Sequence, residues 1–239
     1  MRERKIFDGK IRFLLVIAAV VAILIISVYS AEDLLIPISF ALLIFSMLPF
    51  YIRFEKKELN AEEMVLIAMI SALAAVGRVP FAALPSIQPT SFIIIMAAMT
   101  FGKEVGFLAG NTAALVSNLF LGQGPWTPWQ MFCWGMMGFS AGLLKDTPFM
   151  KTKTGLCLFG FIWAFLFGWI MNLWVLLFYR TISWQAFLGF CIASFSFDLN
   201  HALCNLIFIL LFSQPFTRIF KRTKEKYGLL KDVSGGRGY

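Results

Sequence analysis

The stretch that decides the fold is GRVPFAALPSIQPTS (residues 77–91), two hydrophobic runs, and then SNLFLGQGPWTPWQM (residues 117–131). Prolines and glycines break both quoted segments into turns, whereas the runs between them predict two helices. Two consecutive helices return the chain to the side from which it started, so both turns are expected on the same side. Because most of the chemically unusual residues lie in these turns, a solute site is expected there.

The composition indicates an integral membrane protein. The chain is 59% hydrophobic and 14% charged, with a mean hydropathy of +0.80, whereas soluble domains are about half apolar and a quarter charged. Long apolar runs without strict alternation predict helices rather than a barrel. We therefore expect an all-α, polytopic membrane helix bundle. The predicted spans cover residues about 11–29, 34–52, 64–78, 88–101, 105–121, 128–144, 155–178 and 187–212.

The first span has an alternative interpretation as a signal peptide, because basic residues precede it and a possible cleavage site follows. Retention is favoured, since the run is long for a signal peptide and another span follows at once.

The distribution of positive charge predicts the orientation. With eight spans and a cytoplasmic N-terminus, Arg78 and Arg180 are the only basic residues outside, among 21 Lys and Arg residues. This satisfies the positive-inside rule with both termini in the cytoplasm. It also explains the net charge of +8 without a nucleic-acid partner. Both turns, Arg78–Ser91 and Gly122–Pro128, are then extracellular.

A charged stretch divides the chain. Residues 53–63 are rich in Glu, Lys and Arg and form a predicted cytoplasmic linker. The linker separates a two-helix N-terminal membrane leader (1–52) from a six-helix core (64–212). Residues 213–239 form a basic cytoplasmic tail that is expected to lie near anionic lipid.

Several catalytic signatures are absent from the sequence. It contains no nucleotide-binding P-loop, no H-E-x-x-H and no G-x-S-x-G, and it has a single histidine, His201. Its four cysteines lie in apolar stretches without C-x-x-C spacing. We therefore expect no metal and no cofactor, and an enzyme is disfavoured although it stays an alternative.

The last span carries polar residues on one face. Asp198, His201 and Asn205 are spaced i, i+3 and i+7, and an ionisable residue inside a span usually faces a partner or a cavity. Asp198 is expected at the depth of Arg78. Two interpretations stay open: a structural Asp198–Arg78 pair, or the polar wall of a solute pocket.

The second turn allows two interpretations as well. Trp126 and Trp129 suit an interfacial anchor, but beside Gln123 and Gln130 they also suit a large planar ligand. Asn118, a polar residue within a span, is either a helix–helix contact or a ligand contact.

Several of these motifs resemble those of a known protein family. Residues about 61–212 resemble the S component, the substrate-binding membrane subunit, of an energy-coupling factor (ECF) vitamin transporter. The resemblance rests on an A-x-x-x-A motif at Ala68 and Ala72, on Gly77-Arg78 before a long loop, on SIQPTS (86–91), and on Ser117-Asn118 leading to LGQGPWT (121–127). It is strongest to the cobalamin-type S components.

The resemblance implies a mechanism. The S component captures a vitamin from outside, and the loop Val79–Pro89 closes over it as a lid. Ala68 and Ala72 face a shared transmembrane coupling subunit, which two cytoplasmic ATPases drive, and the S component topples in the membrane to release its cargo. Such proteins typically have six helices, so the leader is a departure that could restrict toppling or docking.

We therefore expect a substrate-binding subunit of an ECF-type importer in the plasma membrane of a prokaryote. The alternatives are an intramembrane enzyme that uses Asp198 and His201, or a membrane scaffold without a ligand. The predicted ligand-binding residues are Arg78, Gln88, Asn118, Gln123, Trp126, Trp129, Gln130, Asp198 and His201.

Overall fold

The computed structural model describes residues 35–55 and 61–228, and every regular element within these two ranges is a helix. This confirms the all-α fold. The elements are α1 (Leu35–Glu55), α2 (Ala61–Val76), a 3-10 turn (Val79–Phe81), α3 (Thr90–Phe101), α4 (Lys103–Leu121), α5 (Thr127–Leu144), the short α6 (Pro148–Lys151), α7 (Lys153–Phe178) and α8 (Trp184–Lys226).

A helix covers each predicted span from residue 34 onward, whereas the span 11–29 lies outside the described residues. In the described ranges, four helical segments are long and apolar enough to cross a membrane: 61–81, α4, α7 and α8. The number of eight spans, the orientation and the division into leader, linker, core and tail stay predictions.

The last helix continues well past residue 212, where the sequence predicted the end of the final span. Aromatic packing against α3 explains the extension. The ring of Phe216 lies 4.9 Å from that of Phe92, and the ring of Phe220 lies 5.5 Å from that of Phe101. Residues 213–226 are therefore part of the helical bundle, although their sequence is basic.

Helix α3 lies at the centre of the bundle. It contacts α2, α4, α5, α7 and α8, and all of its 12 residues except Met99 are buried. At 1.5 Å per residue it is about 18 Å long, which is shorter than a bilayer core of about 30 Å. Its apolar side chains on every face are therefore explained by burial among helices rather than by contact with lipid.

Glycines bring α4 and α5 into close contact. A Cβ atom at Gly110 would lie 2.9 Å from the backbone nitrogen of Gly135, and a Cβ at Gly138 would collide with the backbone of Gly106. The glycines of these two helices thus serve packing within the fold.

Helix α1 packs on the rest of the bundle against α4, α5 and α7. Leu43 and Met47 are buried there. Tyr51 Oη donates a hydrogen bond to Asn111 Oδ1, and Asn111 Nδ2 contacts Met47 Sδ at 2.9 Å. Helix α1 is thus joined to the rest of the bundle by polar contacts to the buried Asn111.

The helix ends bring the two quoted turns together. Arg78, at the end of α2, donates to Asn118, near the end of α4. Asn118 in turn donates to Gln130, in the first turns of α5. Gly122 ends α4 in the left-handed region, with φ +105°, a conformation that favours glycine. Both turns therefore lie at the same end of the bundle.

Candidate functional site

A cavity of about 150 Å³ lies at this end of the bundle. Five parts of the chain converge on it: the loop after α2, the first turn of α3, the start of α5, the middle of α7 and the middle of α8. The lining side chains are Arg78, Ser86, Gln88, Ser91, Gln130, Trp134, Phe167 and His201.

Hydrogen bonds and an aromatic ring hold Arg78 at the wall of the cavity. Its Nη1 donates to Ser117 Oγ at 2.8 Å and to Asn118 Oδ1. Its guanidinium carbon lies 5.1 Å from the centroid of Trp134, within range of a cation–π attraction. These contacts orient the guanidinium without any opposite charge.

Four residues from four helices, Trp134, Ser91, His201 and Phe167, form another part of the wall. Trp134 Nε1 donates to Ser91 Oγ at 3.0 Å, and Ser91 Oγ lies 2.7 Å from His201 Nε2. Because Ser91 Oγ accepts the hydrogen bond from the indole N–H, its own hydroxyl hydrogen is free for a hydrogen bond to His201 Nε2. Phe167 contacts both rings, with centroid distances of 4.9 Å to Trp134 and 5.4 Å to His201. This wall therefore combines apolar faces with a defined line of hydrogen bonds.

Behind the cavity, Asn118 connects its wall to the second turn. Asn118 is 1% exposed; its Nδ2 donates to Gln130 Oε1 at 2.8 Å and to Thr127 Oγ1 at 3.0 Å. Thr127 Oγ1 donates to Gln123 Oε1 at 2.9 Å, and the Gly124 backbone N–H donates to Thr127 Oγ1 at 3.2 Å. A continuous chain of hydrogen bonds therefore runs from Arg78 to the turn.

The loop between α2 and α3 covers one side of the cavity with Ser86 and Gln88. Ser86 has a φ of +58°, a left-handed conformation that is uncommon for residues other than glycine. The Asn200 side chain of α8 donates to the Pro85 carbonyl oxygen at 3.3 Å. The loop is thus bound to α8 at the residue that precedes Ser86.

A family model for the "ECF-type riboflavin transporter, S component" matches residues 58–216. The chain belongs to this family. The family consists of non-catalytic transporter subunits, so membership disfavours the intramembrane enzyme.

The curated relatives match a shorter part of the chain than the family model does. A UPF0397 protein of Aliivibrio fischeri (strain MJ11) is 29% identical over 103 residues, which is 41% of this chain and 56% of the relative. A UPF0397 protein of Vibrio atlanticus (strain LGP32) is 32% identical over 102 residues, which is 41% of this chain and 53% of the relative. The matched region thus spans about half the length of these relatives. No solved structure matches.

The structure brings together part of the predicted site of this S component. Arg78, Gln88, Gln130 and His201 line the cavity, and Asn118 supports two of them from behind.

The other predicted residues lie outside the lining. Gln123 is at the surface and donates to the Leu115 carbonyl oxygen. Trp126 is 39% exposed, whereas Trp129 is buried against Trp174, with the ring centroids 6.4 Å apart.

The structural Asp198–Arg78 pair does not form. Asp198 Oδ2 accepts a hydrogen bond from Ser194 Oγ at 3.1 Å, and Asn172 Nδ2 donates to the same Ser194 oxygen at 3.0 Å. The Asp198 carboxylate lies against Gly168 of α7. The face of α8 that carries Asp198 thus packs on α7, one turn away from the cavity, and its partners are neutral.

Four lining residues, Ser86, Ser91, Trp134 and Phe167, were not among the predicted binding residues. Ser86 and Ser91 belong to the quoted SIQPTS segment, and Trp134 follows Gln130 by one helical turn, so the sequence contained a signal for three of them. Phe167 is one of 27 phenylalanines, and nothing in the sequence distinguishes it.

Ala68 and Ala72, the predicted docking residues, are both exposed on α2. Met69 and Val76 on the same helix are more than half exposed. This apolar surface is exposed in the part of the chain that the structure describes.

Proposed function

We propose that this chain is the substrate-binding subunit of an ECF-type importer and captures a vitamin-class ligand from outside the cell. The cavity carries the proposal, because five segments place amide, hydroxyl, imidazole and guanidinium groups around one space with an aromatic wall. Such a mixture of a few polar groups and aromatic faces is typical of small-molecule sites. The family match supports the same role as a substrate-binding subunit.

Riboflavin is our first candidate for the ligand. The description of the family names riboflavin, and a flavin ring presents carbonyl and imide groups at its edge that match the amides of Gln88 and Gln130. The ring faces are apolar and suit Trp134 and Phe167.

Cobalamin is the second candidate, because the motifs at residues 86–91 and 121–127 are most similar to those of cobalamin-type S components. Ligand sites usually measure about 300–1,000 Å³, and this cavity has about 150 Å³. The loop Val79–Pro89 must therefore move to admit either ligand, and the displacement is larger for a corrin ring than for the edge of a flavin.

The test is a titration of the full chain, purified in a neutral detergent, with riboflavin, cobalamin, thiamine and folate. We expect tight binding of riboflavin and a loss of about tenfold or more in Gln130→Leu, which removes a polar group from the wall. Gln185→Leu is the matched control, since Gln185 is exposed in the first turn of α8 and is not among the lining residues, and its affinity should equal that of the unsubstituted chain. Tight binding of cobalamin alone would retain the importer and correct the cargo. No binding of any of the four would overturn the proposal.

For transport, we propose that α2 docks on a transmembrane coupling subunit that works with two ATPases. Ala68 and Ala72 are exposed and small, so a partner helix could approach α2 closely. We expect Ala68→Trp and Ala72→Trp to abolish co-purification with a co-expressed coupling module while ligand binding persists. Ile192→Trp is the control, because Ile192 is 76% exposed on a different helix. Equal recovery of the complex with all three variants would contradict docking through α2.

A further inference from the structure

The positive charge of Arg78 is only partly matched by its surroundings. Both hydrogen bonds of the guanidinium use Nη1 and reach neutral side chains, Ser117 and Asn118. Its Nε atom is buried without a hydrogen-bond partner in the described ranges. The Trp134 ring, at 5.1 Å, attracts the cation but offers no acceptor atom. The Nε–H group of Arg78 thus has no hydrogen-bond acceptor among the described residues.

The cavity supplies no negative charge to balance it. None of its eight lining side chains is a carboxylate. Asp198, which the sequence placed at the depth of Arg78, is directed to Ser194 and Gly168 instead. A cation surrounded by apolar helices is expensive without a partner, and a guanidinium has the fork geometry that fits carboxylate and phosphate oxygens. The electrostatics of the cavity therefore favour a ligand that brings the missing charge.

We propose that Arg78 is an oxyanion subsite, which binds a carboxylate or phosphate group of the ligand while Trp134 and Phe167 contact its apolar part. The inference rests on the proposed function and extends it from a vitamin-class ligand to a negatively charged one. Of two ligands that are otherwise alike, this S component selects the anionic member.

The main experiment compares riboflavin with flavin mononucleotide, which carries a phosphate on the same side chain. Quenching of flavin fluorescence is followed during titration with the full chain in a neutral detergent at constant ionic strength. We expect the mononucleotide to bind about tenfold more tightly or better, the usual effect of one charge-assisted hydrogen bond. In Arg78→Gln the two flavins should bind equally, and Arg78→Lys should keep part of the preference because its charge remains.

A second pair separates this inference from the choice of a flavin. Benzoate and benzamide have the same shape and differ in charge, and both are small enough for the cavity. Their binding is compared by ligand-observed NMR on the full chain and on Arg78→Gln. If neither flavin binds, the proposal that the cargo is a flavin is wrong. A preference for benzoate over benzamide that disappears in Arg78→Gln would then still support the oxyanion subsite.

If either flavin binds, the comparison of riboflavin with flavin mononucleotide tests the inference. If neither flavin binds, the comparison of benzoate with benzamide tests it. Equal affinity for the two members of the deciding pair overturns the inference, and so does a preference that is unchanged in Arg78→Gln or a failure of all four compounds to bind. If Arg78→Gln does not fold, the preference of the unsubstituted chain and its reduction in Arg78→Lys decide.

Discussion

Replacing Asn118 by leucine tests whether the hydrogen-bonded chain behind the cavity holds the site together. Asn118 is buried at 1% exposure, accepts from Arg78 and donates to Gln130 and Thr127. Leucine has a similar size but makes none of these bonds, so the substitution removes three interactions without opening a large cavity. It also leaves the amide oxygen of Gln130 without this donor.

The magnitude follows from the three bonds. Neutral side-chain bonds between membrane helices contribute about 0.6 kcal/mol each, and a bond to a charged group contributes about 1.5–3 kcal/mol. We therefore expect Asn118→Leu to lower the free energy of unfolding by about 3–4 kcal/mol. Affinity for riboflavin should fall as well, because Arg78 and Gln130 lose their common partner.

The assay is unfolding of the full chain by SDS in mixed micelles, monitored by tryptophan fluorescence. Asn200→Leu is the matched control: it is the same substitution on α8 and removes a single hydrogen bond, to the Pro85 carbonyl oxygen. Its expected loss is below about 1 kcal/mol. If Asn118→Leu is no more destabilising than Asn200→Leu, the hydrogen-bonded chain does not stabilise the site and our reasoning is refuted.

Two further substitutions test the packing around the site. Gly110→Ala should lower the free energy of unfolding by about 1–3 kcal/mol, because its Cβ would meet the backbone of α5. The control is Gly189→Ala, where a Cβ has open space and alanine should stabilise α8 slightly. If both changes are neutral in the same SDS assay, the close contact between the helices is contradicted. Tyr51→Phe removes the hydrogen bond from α1 to α4, so it should destabilise the chain by about 1 kcal/mol with unchanged riboflavin affinity, and a fall in affinity would show that α1 contributes to the site.

Hydropathy was sufficient to predict the helices because the bilayer requires long, internally hydrogen-bonded apolar segments. The return of both turns to one end followed from counting helices between them, and the contact between Arg78 and Asn118 now shows it. The end of α8 could not be predicted in this way, because a basic sequence indicates solvent, whereas the rings of Phe216 and Phe220 attach that segment to α3.

The side-chain partners within the site were harder to predict because sequence gives depth but not helix rotation. Asp198 and Arg78 were matched by depth, yet Asp198 is directed to Ser194 and α7, whereas His201, less than one turn further along α8, reaches Ser91 of α3. Three residues change the direction of a side chain by about 60°. In a bundle where α8 contacts both α3 and α7, that rotation decides which residues share a pocket.

The predicted two-helix leader raised the question of whether it obstructs docking or toppling. Helix α1 contacts α4, α5 and α7, and the exposed alanines of α2 stay uncovered, so α1 leaves the proposed docking surface open. Its attachment has the opposite consequence for motion. Because Tyr51 and Met47 both contact Asn111, a fully buried residue of α4, α1 cannot stay behind when the core rotates without breaking these contacts. If this S component topples, we therefore expect α1 to move with the core, since separation would cost these contacts.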